Sequence, residues 1–228
     1  MNKKLLIGLD LSFNSTGICA TYLEDDKPQI MRFYRIVFDD ESNKTGKIYN
    51  PKDIPNINQV IYRMPTNISV EELTENEKIS DEQVSTTLRA MICSKKICII
   101  LNRLLSKFIP DEIIFTIENY VMPSFGGPNS LKNVSGLILL QGYVREFIIR
   151  FKIGNPLLNI KVYTPSPTQN KLSFCGNGKA DKSVMINYFK QNYDNKNQLL
   201  PDISKGKIDD IVDAFSLMIY GYKKYLKL

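Results

Sequence analysis

The sequence predicts an α/β fold, a mixed five-stranded sheet whose first three strands are antiparallel, flanked by helices. Three observations predict it. Three segments rich in apolar, branched and aromatic residues open the chain with short polar turns between them, the pattern of an antiparallel meander. Two further strand-like segments, Ile113 to Ile117 and Asn159 to Tyr163, are set among stretches of helical periodicity. The runs Leu5-Leu6-Ile7 and Ile113-Ile114-Phe115 are unbroken, as strands covered on both faces require.

In chain order, the first strand is Leu5 to Leu9, ended by Asp10. Ser12 to Gly17 are turn formers, Ile18 to Leu23 is a returning strand, Glu24 to Pro28 a polar turn, and Gln29 to Phe38 a third strand. Residues 39–55 read as a polar excursion, with a short strand at Val60 to Met64. Residues 66–82 carry six acidic residues against one lysine and read as a surface loop leading into a helix. Apolar positions from Val84 to Phe108 then mark a long helix, broken near Ser94 and stopped by Pro110. After the strand ending at Ile117 comes a loop, Tyr120 to Pro128, and a helix from Asn129 or Ser130 to Phe151. Gly136 and Gly142 inside it suggest close backbone packing, as against a second subunit. A Pro- and Gly-containing loop from Pro165 to Gly178, a helix from Ala180 to Tyr193, a polar loop over 194–206 and a helix from Lys207 to Leu226 complete the chain. With 228 residues and no internal repeat, the expectation is a single domain, 1–228, with an insertion at about 39–80.

Composition narrows the chemistry. The chain has no histidine, which removes Ser-His-Asp and Cys-His nucleophiles and makes a zinc site of the usual type untenable. Cys19, Cys93, Cys98 and Cys175 show no CxxC spacing and are expected reduced and partly buried. Residues 150–228 hold 13 Lys and Arg against 6 Asp and Glu, so the last third supplies the whole net charge of +6. A polyanion, nucleic acid rather than membrane, is the expected partner. The apolar run after Met1-Asn2-Lys3-Lys4 is too short for a secretory signal, and no run is long enough to span a membrane, so a soluble intracellular protein is expected. The Lys, Asn and Ile bias fits an AT-rich genome, and a phage or other virus is one source that suits it.

The carboxylates stand out. Asp10 ends a buried strand, where Asp is costly, and Glu118 ends another in the same way. Asp210 and Asp213 lie three apart on the final helix and project from one face. Each has a plain reading: Asp10 as an Asx cap of its turn, Asp209 and Asp210 as complements to the helix dipole. Asp213, followed by the apolar AFSLMIY, suits the dipole reading less well. Brought together, Asp10, Glu118, Asp210 and Asp213 would repel strongly, and the cluster implies a divalent metal such as Mg²⁺ or Mn²⁺. Two such ions about 3.5 to 4 Å apart activate water on a phosphodiester without a histidine base.

The order of GLDLSFNSTG, TIENYVM, a basic segment and DDIVDAF resembles the RuvC-like Holliday junction resolvases of the RNase H-like superfamily, over most of the chain outside residues 39–80. The resemblance implies an RNase H-like fold with Asp10, Glu118, Asp210 and Asp213 as catalytic metal ligands for two Mg²⁺ or Mn²⁺ ions, Asp209 remaining a neighbour. It also implies a homodimer that cuts symmetrically related strands of a four-way DNA junction, with the helix over about 129–151 in the interface. Lys171 and Lys182, eleven apart and the second in Asp181-Lys182-Ser183, match the family's two lysines and would act on the scissile phosphate; Lys179 belongs to the same basic segment. Where the family often has a base-stacking aromatic, three residues after the Glu, this chain has Val121. Tyr120 and Phe125 flank it and are the candidate substitutes for stacking on a base.

Other readings of the same residues are a related nuclease acting on flap, branched or RNA-containing nucleic acid, and a non-catalytic nucleic-acid-binding module with structural carboxylates. An actin-like phosphotransferase also opens on a strand with Asp and a glycine turn, but it needs a second half that this chain has no room for.

Overall fold

The computed structural model describes residues 2–12, 15–38, 57–64, 81–119, 128–193 and 208–227. The chain opens with three antiparallel strands, β1 (Lys3–Asp10), β2 (Ser15–Glu24) and β3 (Lys27–Phe38). The two-residue turn joining β2 to β3 puts Asp25 and Asp26 at φ 47° and 63°, the left-handed pair a tight hairpin needs and that Asp tolerates. Then follow β4 (Ile57–Met64), α1 (Asp81–Phe108), β5 (Glu112–Ile117), α2 (Pro128–Gly154), β6 (Asn159–Tyr163), α3 (Pro167–Cys175), α4 (Lys182–Asn192) and α5 (Asp209–Leu226).

The sheet order is β4-β3-β2-β1-β5-β6, with β5 parallel to β1 and β6 parallel to β5. Five of these strands form the expected mixed sheet, antiparallel over the first three and parallel beyond. The sixth corrects the expected count. β4 runs parallel to β3 from Met31↔Ile57 to Phe38↔Met64, longer than the short strand read at Val60 to Met64, and pairs the outer edge of β3, which would otherwise present bare backbone donors and acceptors. The remainder of the expected insertion, residues 39–56 and 65–80, lies outside the described residues, as does the polar loop expected over 194–206.

Strand alternation sorts the side chains to two faces. Leu5, Ile7 and Leu9 of β1 with Ile113, Phe115 and Ile117 of β5 bury against α1 and α2, where Cys93, Ile97, Leu101, Leu140 and Val144 meet them. The opposite face, with Leu6, Phe33 and Ile114, packs on α4 and α5. Phe215 of α5 is the hub there, with ring centroids 5.0 Å from Phe189 and 4.9 Å from Tyr193. Removing such a ring costs about 3 to 5 kcal/mol, and here it would loosen the helix that carries Asp210 and Asp213.

Two further expectations are corrected. Residues 167–175 form α3 rather than loop: Ser166 caps the helix, accepting from Gln169 N while Gln169 reaches back to the cap, and Pro167 occupies the first turn. Helix α1 runs unbroken past Ser94, whose hydroxyl donates back to Met91 O at 2.8 Å. Gly136 is buried, but Gly142 is exposed, and a Cβ added there would meet nothing within 4 Å. All four cysteines are free thiols, Cys19 and Cys93 buried and Cys98 and Cys175 partly so. No helix among the described residues is long and apolar enough to cross a membrane.

Candidate active site

Register places the first two carboxylates together. β1 and β5 are parallel neighbours with Leu9 opposite Ile117, so Asp10 and Glu118, each one residue further on, emerge at the same end of the sheet. Both follow the even-numbered positions Leu6 and Ile114 onto the face that α5 covers. Helix α5 reaches that face through glycines. A Cβ on Gly8 would stand 2.1 Å from Ala214 O and one on Gly17 2.0 Å from Asp210 O, so only glycine lets the helix backbone lie this close. Gly17 is the strand partner of Asp10, and its contact sets the first turn of α5 beside that carboxylate.

The electrostatics record the convergence. Asp10 is held well above the usual carboxylate range by desolvation, then by the charges of Asp213, Glu118 and Asp210, with Lys182 opposing. Burial raises Glu118 to about 7, Asp213 adding to the rise and Lys171 opposing it. Burial likewise raises Asp213 to about 6, against the pull of Lys182 and Lys171 and with Asp209 and Asp210 pushing upward. Three carboxylates are thus short of positive charge. A cavity of about 180 Å³ opens among Glu118, Asp213, Lys171, Lys182, Asn170 and Met185. A larger one, about 670 Å³, lies between the ends of α1 and α2 among Leu105, Ile109, Phe151 and Leu157, and none of the singled-out carboxylates or lysines lines it.

Asp210 is treated differently. Its Oδ2 accepts from Arg35 Nε at 2.6 Å and from the Ser15 hydroxyl, in an ion pair whose side chains are 9% and 14% exposed. Arg35 sits opposite Gly17 on β3, so Asp10, Gly17 and Arg35 form one row across the sheet. Asp209 takes Lys182 Nζ at 2.6 Å, and although burial opposes its charge, that bond holds its carboxyl below the usual range. Lys171 Nζ donates to Ala180 O at 2.7 Å, drawing the turn between α3 and α4 toward the site. Asp181, the acid of the Asp-Lys-Ser run, caps α4 by accepting from Val184 N. Lys179 is exposed on the turn between the two helices. Tyr120 and Phe125 lie outside the described residues.

The donor set is hard oxygen, and buried carboxylates that resist ionising are what a divalent cation relieves, so the residues present suit Mg²⁺ or Mn²⁺ in chemistry. Among the described residues, however, no three acidic, cysteine or histidine side chains are gathered into a finished ligand set. Oδ2 of Asp210 is engaged instead by Arg35 and Ser15.

Sequence reasoning missed Arg35, Ser15, Asn170 and Ser216. The signal for Arg35 was present: in QIMRFYRIVF it shares the strand face of Met31 and Phe33, a charge on a face that packs against a helix. No protein-family model and no curated protein matches the chain. Among solved structures it is similar to Thermus thermophilus RuvC (12% identity, TM-score 0.49, covering 98% of this chain and 96% of that one). It is similar also to T. thermophilus RuvC in complex with a Holliday junction substrate (10%, 0.48, 99% and 96%) and to the yeast mitochondrial Holliday junction resolvase Ydc2 (15%, 0.46, 97% and 79%).

Proposed function

We propose that the chain is a metal-dependent endonuclease of the RuvC-like type that resolves four-way DNA junctions by hydrolysing phosphodiesters. The observation that carries the reading is the meeting of Asp10, Glu118 and Asp213, with Asp210 beside them, at one end of the sheet, flanked by Lys171 and Lys182 in a chain that has no histidine. Asp10, Glu118, Asp210 and Asp213 would hold two Mg²⁺ or Mn²⁺ ions. Bound there, such a pair supplies an activated water and neutralises charge on the leaving oxygen. The protein's own part is positional and electrostatic. Lys171 and Lys182, which line the cavity, would bring two positive charges to the scissile phosphate. The basic final third, including Lys179, holds the backbone, and Tyr120 and Phe125 are the candidates for stacking on an opened base.

Paired cuts need two sites, and we assign them to a homodimer. Two outward positions of α2 support this: Ile149 and Ile153, 59% and 74% exposed, are apolar side chains that a second copy would cover. The test is cleavage of a panel of four-way junctions, flaps, plain duplexes and RNA–DNA hybrids in Mg²⁺. The reading expects symmetric paired nicks on the junction. Cleavage confined to flaps or hybrids would reassign the substrate, and no cleavage of any member would reject the nuclease.

A further inference from the structure

Asn170 of α3 is 3% exposed and lines the same cavity as Glu118, Asp213, Lys171 and Lys182. Its amide nitrogen donates to Ser216 Oγ at 2.8 Å, and the one hydroxyl proton of Ser216 goes to the carbonyl oxygen of Asp213, also at 2.8 Å. With that proton committed, Ser216 has none to offer an amide oxygen. In this arrangement Oδ1 is the end left unengaged. This oxygen is buried and has no hydrogen-bond partner among the described residues. Lys171 and Lys182 line the same space, but their bonds go to Ala180 O and Asp209.

A buried acceptor without a donor is costly, and an apolar pair at 170 and 216 would have avoided it. Retaining Asn170 makes sense if a donor reaches Oδ1 during the protein's work. The cavity is small and polar, and roomy enough for water, whose usual place in proteins is against otherwise unsatisfied buried groups. A phosphate oxygen could not serve, because it has no proton to give.

We propose that Asn170 Oδ1 accepts a hydrogen bond from a water held in this cavity beside Glu118 and Asp213, and so orients the water that attacks the phosphodiester. The inference rests on the hydrolytic reading above. One O–H of the water points to Oδ1 and the other to a carboxylate of the cluster, which leaves a lone pair free to face phosphorus. In the step itself the water oxygen bonds to phosphorus and the bond from phosphorus to the leaving oxygen breaks. The water's proton passes out to solvent, since an amide cannot take it and the carboxylates are assigned to the ions, and the leaving oxygen is protonated from solvent. Ser216 fixes the amide through its nitrogen and acts only as a positioning residue.

The test compares Asn170→Leu and Ser216→Ala in the full chain, with a crystal structure of the unsubstituted protein. The crystal structure should show a water within hydrogen-bond distance of Oδ1 that also touches Glu118 or Asp213. A lysine ammonium in that place overturns the proposal, as does an Oδ1 with no water. Asn170→Leu should lower kcat on junction DNA by about ten- to a hundred-fold, the scale of a misplaced reactant, with KM and the melting temperature little changed. Ser216→Ala should lower kcat less, because Oδ1 remains. Equal losses in both variants, or a loss that follows melting temperature, would make Asn170 a packing residue and overturn the proposal. If the unsubstituted protein cleaves no DNA, the hydrolytic reading fails and takes this inference with it. If it cleaves and Asn170→Leu cleaves as well, only the inference falls.

Discussion

Raising the pH of the metal-free protein from 5 to 8 should destabilise it, and adding Mg²⁺ should reverse the loss. Glu118 is raised from 4.5 to about 7 and Asp213 from 3.8 to about 6 in the folded chain. A carboxyl whose pKa is higher folded than unfolded binds more protons in the folded state across that interval. Its contribution is therefore complete below about pH 4 and is lost as the pH rises through 6 to 7. Each pKa unit is worth about 1.4 kcal/mol, so Glu118 alone carries about 3 kcal/mol. Asp213 adds less than its separate share, because its charge is one of the causes that raise Glu118. For a chain of this length about 3 kcal/mol lowers the melting temperature by about 6 to 12 °C. The assay is thermal unfolding in chelator at half-unit pH steps, repeated in Mg²⁺. The chain has no histidine, so no side chain outside the carboxylate cluster ordinarily titrates in this window. Saturation with Mg²⁺ at 100 times its dissociation constant should return about 2.7 kcal/mol at pH 8. A melting temperature that is flat or rising from pH 5 to 8 in chelator, or that ignores Mg²⁺, would refute the account of a charge-starved carboxylate cluster.

Two substitutions probe what surrounds the cluster. Arg35→Met leaves Asp210 buried with only the Ser15 hydroxyl, and should cost about 3 to 5 kcal/mol in chelator by denaturant unfolding, a loss that Mg²⁺ shrinks because Asp210 is now free to take the ion. Equal losses with and without Mg²⁺ would mean that Arg35 is purely structural. Gly17→Ala drives a methyl to 2.0 Å from Asp210 O and must push the first turn of α5 outward, so both the melting temperature and any cleavage should fall, cleavage by about a hundred-fold for a shift near 1 Å. Unchanged cleavage would show that the placement of α5 is not critical.

How far the sequence reveals this molecule depends on how local each signal is. Strands β1, β2, β3, β5 and β6 were legible because unbroken or branched apolar runs lie between turn residues, and Asp10 and Glu118 stood out because a carboxylate at the end of such a run is expensive unless used. β4 was only partly legible: its residues INQVIYRM mix polar and apolar side chains, as suits a sheet edge. α3 was hidden by the prolines and glycines around it, although Ser166, Pro167 and Gln169 spell out a capped helix start. Contacts between residues distant in sequence were the least legible. Arg35 meets Asp210 across 175 positions and Asn170 meets Ser216 across 46, and nothing near any of these residues names its partner. The helix-dipole reading of Asp209 and Asp210 was incomplete for the same reason, since Lys182 and Arg35 answer those charges directly.

The most direct test of the hydrolytic reading is Asp10→Asn, assayed for cleavage and for binding of the same four-way junction in Mg²⁺, with a melting curve to show that the variant is folded. Asn keeps the size of the side chain and removes one negative charge from the cluster, so the fold should hold and binding should persist or strengthen as repulsion of the phosphates falls. The account predicts loss of cleavage with retained binding. A folded Asp10→Asn protein that still cuts the junction at the unsubstituted rate would contradict it.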